Sequence, residues 1–267
     1  MTRLPELPEP NATRFSPVRY VAETGSTNAD LLAGAADGLP AGAVLVTDHQ
    51  TAGRGRQRRS WHDQPGNSLL VSILLRPGVD EAPLIPLVMG LAAVDAIGHL
   101  DGDGTPPVGL KWPNDVLATA LDERKLAGIL AESTSTGGTE LAVVVGMGMN
   151  LRWSSPPPDE VAVRAATVAE VLGRPVARDE VLPAVLGALE LRLQQLETAG
   201  PGSLLDDYRK RCVTLGRLVR FETSTGDHEG TATDIDDRGL LVLTTGDGTR
   251  LPLHAGDAHH LPTEGAG

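Results

Sequence analysis

Four arginines, Arg54, Arg56, Arg58 and Arg59, crowd the stretch GRGRQRRSW at residues 53–61 of a chain whose formal net charge is −12. Like charges at this spacing repel, and Gly53 and Gly55 give the backbone freedom rather than order. A solvated turn would use these arginines only for solubility. A loop that closes on an anion would use their planar forks on a carboxylate or phosphate, with Trp61 as an apolar cover. The glycines do not form a familiar phosphate loop. No Lys-Ser or Lys-Thr closes the run, and neither it nor GMGMN at 146–150 has the third glycine and following helix of a dinucleotide fingerprint. KWPNDV at 111–116 is a second cluster. As structure, it is a strand end with an Asn-Asp turn after proline. As a site, Asp115 faces a metal-bound phosphate, Asn114 contacts a nucleotide and Lys111 supports either. Lys125 opens the apolar run KLAGIL. It is either an ordinary surface lysine or an ammonium aimed into a cleft at the strand end, where Gly128 leaves room.

Elements must hold these residues together. STNADLLAGAADG predicts a helix with Ser26 or Thr27 as cap, Asp30 in the first turn and Gly38 closing it. AVLVTDHQ and PGNSLLVSILLRP predict strands on either side of the arginine loop. PLIPLVMGLAAVDAIGHL is apolar almost all round and predicts a buried helix. VGLKWPNDVLA reads as a strand broken by Pro113, and KLAGILAEST and ELAVVVGMGMN as two strands joined by a Ser/Thr/Gly turn. RWSSPPPDE reads as a loop, and RDEVLPAVLGALELRLQQLETAG and GSLLDDYRKRC carry helical spacing. From about Leu215 short alternating runs broken by Gly and Asp predict a small β-barrel or sandwich. The expected organisation is a loosely attached segment at 1–16, a mixed sheet with flanking helices at 17–212 and a compact β-domain at 213–267.

Composition narrows the function. Apolar residues make up 40% of the 267-residue chain and aromatics 3%, so Leu, Val and Ala must fill the core. Cys212 is the single cysteine and reads as a small structural residue, which excludes an internal disulfide and suits a reducing compartment. The polar, proline-rich start does not resemble a signal peptide, and no apolar run is expected to span a membrane. A cytoplasmic protein is expected. The acidic balance argues against general nucleic-acid binding.

STN (26–28), QTAGRGRQRRSW (50–61), KWPNDV (111–116), KLAGILAE (125–132) and GMGMNL (146–151), in this order, resemble the biotin protein ligases. The resemblance covers roughly residues 18 to 262. It implies a class II synthetase-like catalytic domain, α+β, with a small C-terminal SH3-like β-barrel. The implied substrates are biotin and ATP with Mg²⁺, and the implied partner is a biotin carboxyl carrier domain of an acyl-CoA carboxylase. Ser26, Thr27, Asn28 and Gln50 match positions around biotin's ureido ring. Trp61, Leu130, Gly146 and Gly148 match the walls around its valeryl tail, and Gly53, Arg54, Gly55 and Gly128 belong to the same pocket. Lys125 and Arg56 match the residues that hold carboxylate and phosphate. Arg54, Arg59, Trp61, Lys111, Asn114 and Asn150 are the candidates on the adenylate side, and Asp115 for magnesium.

The family pattern has glycine where this chain has Arg58, which bears on the assignment of Arg59. The segment between Asp115 and Lys125 is longer than in many relatives. About twenty residues precede the first strand, too few for the DNA-binding domain that some members carry, so a ligase without repressor function is expected, as a monomer or weak homodimer. The rival readings are a lipoate ligase, a nucleic-acid-binding module and a non-catalytic biotin sensor.

Overall fold

The computed structural model describes residues 14–56, 61, 65–102, 107–136, 140–223, 226–253 and 257–261. A seven-stranded mixed sheet is built from β1 (Val18–Thr24), β2 (Val44–Gln50), β3 (Ser68–Leu75), β4 (Val108–Lys111), β5 (Asp115–Ala118), β6 (Arg124–Thr136) and β7 (Glu140–Asn150), in the order β1-β2-β3-β7-β6-β5-β4. Only β1 and β2 run parallel; every other neighbouring pair is antiparallel. Helix α1 (Thr27–Ala36) covers one face of this sheet, burying Leu31 and Ala35 against Leu45, Leu74 and Val144. α2 (Ile85–Asp101) and the long α5 (Arg178–Arg211) pack on the other, with the short α3 (Asp159–Ala162) and α4 (Val168–Leu172) between β7 and α5. A separate five-stranded antiparallel sheet follows: β8 (Leu218–Thr223), β9 (Gly226–Ile235), β10 (Leu241–Thr244), β11 (Arg250–Leu253) and β12 (Asp257–His260), in the order β11-β10-β9-β8-β12.

Sequence accounts for most of this. β3 is SLLVSILL, buried at all eight positions because it lies mid-sheet with helices on both faces. The helix expected over 83–100 forms as Ile85–Asp101 and is buried all round, as its composition requires. One expectation fails by length: Ala82–Asp101 is long and apolar enough to cross a membrane. Its apolar surface is instead taken up by α5 and the sheet. Asp95 on α2 is buried, and it is answered by Arg192 Nε at 2.6 Å and Arg211 at 3.1 Å from α5. Burial alone would raise the neighbouring Asp207 carboxyl, but hydrogen bonds from Arg192, Gln195 and Lys210 hold it at about 2. α5 kinks at Gly200, whose φ of 75° suits glycine. Cys212 ends α5 buried, its thiol pushed up by that burial, as a structural residue would be.

The N-terminal expectation needs correction at 14–16; residues 1–13 lie outside the described residues. Phe15 is 4% exposed and belongs to the main core, while Arg14 pairs with Glu190 and Glu197 on α5. A lone aromatic in a proline-rich lead has no periodic partner, so nothing in the pattern marks it as core. Phe15→Ala should cost about 3 kcal/mol of stability. A thermal melt of the variant within 2 °C of the parent would show that the ring contributes no packing.

Candidate active site

The sheet opens into a cleft of about 580 Å³ on the α1 side. Its floor is a patch of facing residues on β3, β7 and β6. Ser72 pairs with Gly146, which pairs with Leu130, and in the next row Gly148 pairs with Gly128. A Cβ on Gly146 would meet Asn28 Oδ1 at 2.2 Å, and one on Gly148 would meet the Trp61 ring at 2.5 Å. The glycines are therefore imposed by close approach rather than by turn geometry.

One end of the cleft is lined by polar, uncharged side chains. The Ser72 hydroxyl donates to Asn28 Oδ1 at 2.7 Å and lies 2.6 Å from the Thr27 hydroxyl, which also donates to Gln50 Oε1 at 3.1 Å. Gln50 Oε1 takes the Thr27 backbone N–H at 2.9 Å. Asn28 Nδ2 donates to Leu130 O at 3.2 Å and Glu132 Oε2 at 2.9 Å. Ser26, Thr27, Asn28 and Ser72 are all buried. Ser26 sits at the N-cap of α1, but its side chain makes no capping hydrogen bond.

The other end is cationic. Lys125 Nζ lies 2.7 Å from Asp115 Oδ1 and 5.6 Å from the Trp61 ring centroid. Arg56 donates to Asn114 Oδ1 at 3.1 Å, and Asn114 Nδ2 in turn holds Ile129 O at 3.0 Å. Arg54, Arg56, Lys111, Lys125 and Arg164 line the cleft, and Asp115 is the lone carboxylate lining it among the described residues. The loop carrying the arginines is closed at its base by Trp61 N–H donating to Gly53 O at 3.0 Å. Such a concentration of cations in an acidic chain draws an anion into the cleft.

Thus Ser26, Thr27, Asn28, Gln50, Arg54, Gly55, Arg56, Trp61, Lys111, Asn114, Asp115, Lys125, Gly128, Leu130, Gly146 and Gly148 come together around one cavity. Gly53 flanks it, packed beside Gln50 and Trp61. Arg58 and Arg59 lie outside the described residues. Asn150 is expected at the nucleotide. It does not line the cleft, and its Nδ2 donates to Lys125 O at 3.4 Å and Ala166 O at 3.1 Å. With Lys125 N–H donating to Arg164 O at 2.7 Å, Asn150 clamps the backbone that presents the lysine. Sequence reasoning missed Ser72, a single hydroxyl inside an apolar strand, and Arg164, whose neighbourhood carries no motif.

It also missed the C-terminal sheet's share. Ala258 and His259 on β12 line the cleft. The two sheets meet at a seam and share one apolar core, with Trp112 against Phe221 at 6.0 Å between ring centroids, edged by polar contacts. Trp112 Nε1 donates to Gly239 O at 3.0 Å, and Arg217 pairs with Glu123, in the turn flagged as long. His260 Nδ1 accepts from Arg217 at 3.2 Å, which leaves Nε2–H to donate to Thr214 Oγ1 at 3.2 Å. Burial, then the charges of Lys111 and Arg217, lower the imidazole to about 4, against a smaller opposing pull from Glu123. The folded protein therefore keeps His260 neutral, while the unfolded chain takes up its proton near pH 6.5. Stability from this site is whole above that pH and falls as pH drops toward about 4, where the loss levels off. In melts from pH 7 to 4.5, His260→Gln should lose less stability than the parent. Equal losses would remove His260 as a source.

A sequence profile of the Biotin/lipoate A/B protein ligase family matches residues 24–150, and one of the Biotin protein ligase C terminal domain matches residues 214–261. The chain is 41% identical over 248 residues to the biotin–[acetyl-CoA-carboxylase] ligase of Mycobacterium tuberculosis, covering 90% of this chain and 88% of that protein. The chain belongs to the biotin protein ligase family. It is 33% identical to the bifunctional ligase/repressor BirA of Bacillus subtilis, spanning 79% of this chain and 64% of that one. Among solved structures, the biotin protein ligase from Aquifex aeolicus in complex with biotin and ATP superposes with a TM-score of 0.77 at 28% identity, over 92% of this chain and 100% of that chain. For a member of this family, the uncharged and cationic ends of one cleft, joined by a glycine floor, have a ready chemical meaning.

Proposed function

We infer that this cleft activates biotin with MgATP to biotinyl-5′-AMP and then transfers biotin to a lysine of a biotin carboxyl carrier domain of an acyl-CoA carboxylase. The observation that carries the reading is the cleft's polarity. Thr27, Asn28, Gln50 and Ser72 offer donors and acceptors at one end, and cations gather at the other. Biotin has the same layout, with a ureido ring of N–H donors and a carbonyl acceptor, an apolar tail and a terminal carboxylate. The Trp61 ring lies directly on Gly148 and Gly128, so the tail binds along the glycine floor beside the indole, which tilts off the floor to admit it. The carboxylate then meets Lys125 and Arg56.

In the first step a carboxylate oxygen attacks the α-phosphorus and pyrophosphate leaves with the electrons of the broken P–O bond. Both reactants are anions, so Lys125 and Arg56 lower the barrier by holding them together and meeting the charge that grows on the phosphoryl oxygens. Lys111 and Arg164 add positive potential for the triphosphate, while Arg54 pairs with Glu132 beside Asn28. A magnesium ion would neutralise polyphosphate charge there. Asp115 alone cannot cage it, which fits an ion held mainly by phosphates and water with one protein carboxylate. In the second step the carrier lysine's amine, once deprotonated, attacks the acyl carbon and AMP departs. The same cations stabilise the tetrahedral oxyanion. Residues 17–212 form the catalytic unit in this reading, and 213–267 supply a wall of the nucleotide end through Ala258 and His259. The setting is cytoplasmic.

Pyrophosphate exchange into ATP tests this, with biotin and with lipoate as acid. Exchange with biotin and not lipoate is expected. Exchange with lipoate alone, or with neither, overturns the reading.

A further inference from the structure

Glu132 lies on the cleft-facing side of β6, two residues beyond Leu130 and four beyond Gly128, the alternation that puts all three on one face. Its partner across the ladder is Val144, which is packed under α1. Glu132 thus sits where the floor, α1 and the arginine loop meet, and its two oxygens divide between the latter two. Oε2 accepts from Asn28 Nδ2 at 2.9 Å, and Oε1 lies 3.6 Å from Arg54 Nη1.

Each contact has a consequence. An asparagine amide can face either way, and Glu132, acceptor only, forces the nitrogen toward itself. Oδ1 is then left to accept from the Ser72 hydroxyl, which fixes Ser72 as the donor of that pair. The Arg54 contact ties the first arginine of the loop to the same carboxylate. Arg54 is half exposed, so this pair is weak and open to salt.

We propose that Glu132 is a positioning residue for the ureido-binding end, orienting the Asn28 amide with one oxygen and tethering Arg54 at the cleft mouth with the other. This rests on the reading that the cleft binds biotin. Glu132 touches neither the carboxylate nor the phosphate in that reading, so its effect belongs to biotin affinity and not to the rate of adenylation.

The test is pyrophosphate exchange with the full chain, separating the KM for biotin, the KM for ATP and kcat, alongside thermal melts. Glu132→Ala removes both contacts and should raise the biotin KM about tenfold or more, with kcat and the ATP KM within about threefold. Glu132→Gln keeps an acceptor for Asn28 but not the charge for Arg54. It should raise the biotin KM only about two- to fivefold, a difference that disappears at ~1 M salt. A purely structural glutamate would lower the melting temperature without this split or this salt dependence. If Glu132→Ala does not fold, the salt-dependent rise in Glu132→Gln decides. An unchanged biotin KM in both variants, or a fall in kcat alone, overturns the role of Glu132 while leaving the activity standing. A parent protein without biotin-dependent exchange overturns both.

Discussion

Replacing Lys125 with alanine should lower biotin-dependent pyrophosphate exchange by about 30- to 1000-fold while the melting temperature moves by less than about 3 °C. The rate effect corresponds to the ~2–4 kcal/mol that a preorganised donor contributes to a developing oxyanion. The small stability effect follows from the surroundings. Lys125 is 37% exposed along its side chain, and its partner Asp115 is a single carboxylate at the cleft edge, so the pair resembles surface ion pairs worth under ~1 kcal/mol. Its backbone, by contrast, is fixed by Arg164, Ala166 and Asn150, contacts that alanine retains. Exchange assays and melts on the same preparation separate the two effects. Near-normal exchange would remove the ammonium from the reaction, and a melt lowered by many degrees would make Lys125 a fold residue.

Gly146→Ala should weaken biotin binding by at least about tenfold and cost ~1–3 kcal/mol in stability. The added methyl would stand 2.2 Å from Asn28 Oδ1. Asn28 cannot step aside without breaking its hydrogen bonds to Ser72, Leu130 and Glu132. The strand cannot yield either, because β7 is paired on both edges, with β3 and β6. Gly148→Ala should be milder, since its nearest neighbour is the Trp61 ring, whose Nε1 makes no hydrogen bond, whereas the Asn28 amide makes three. Gly202→Ala is the control, with nothing within 4 Å of its added carbon. Titration calorimetry with biotin would give the three affinities. Equal binding by Gly146→Ala and Gly202→Ala would mean that the ureido end lies elsewhere.

Much of the site was legible because its chemistry is written in polar residues at strand ends and in glycines that no turn explains. Lys125, Asp115 and Arg56 are conspicuous for that reason, and the apolar runs around them placed β2, β3, β6 and β7 in outline. What sequence did not reveal depends on distance in space. Ser72 matters only because β3 pairs with β7 opposite Gly146, and one serine in SLLVSILL carries no such sign. His259 reaches the cleft from a different sheet. Asn150 has the right residue type in the right motif. Even so, its amide faces backbone carbonyls, a distinction of direction rather than composition. Phe15 shows the same limit for packing, since a single ring gives no periodicity to read.

The three tryptophans of this aromatic-poor chain stand at three different events. Trp61 lies over Gly148 beside Lys125, so its fluorescence should change when the cleft fills. Trp112 is buried at the seam, with its Nε1 on Gly239 O, and borders the cleft as well, so a red shift of its emission should mark the parting of the two sheets. Trp153 hydrogen-bonds Glu170 and does not line the cleft, so it supplies the background. Variants keeping one indole at a time would therefore time substrate entry and seam opening separately, from the protein's own light and without a dye.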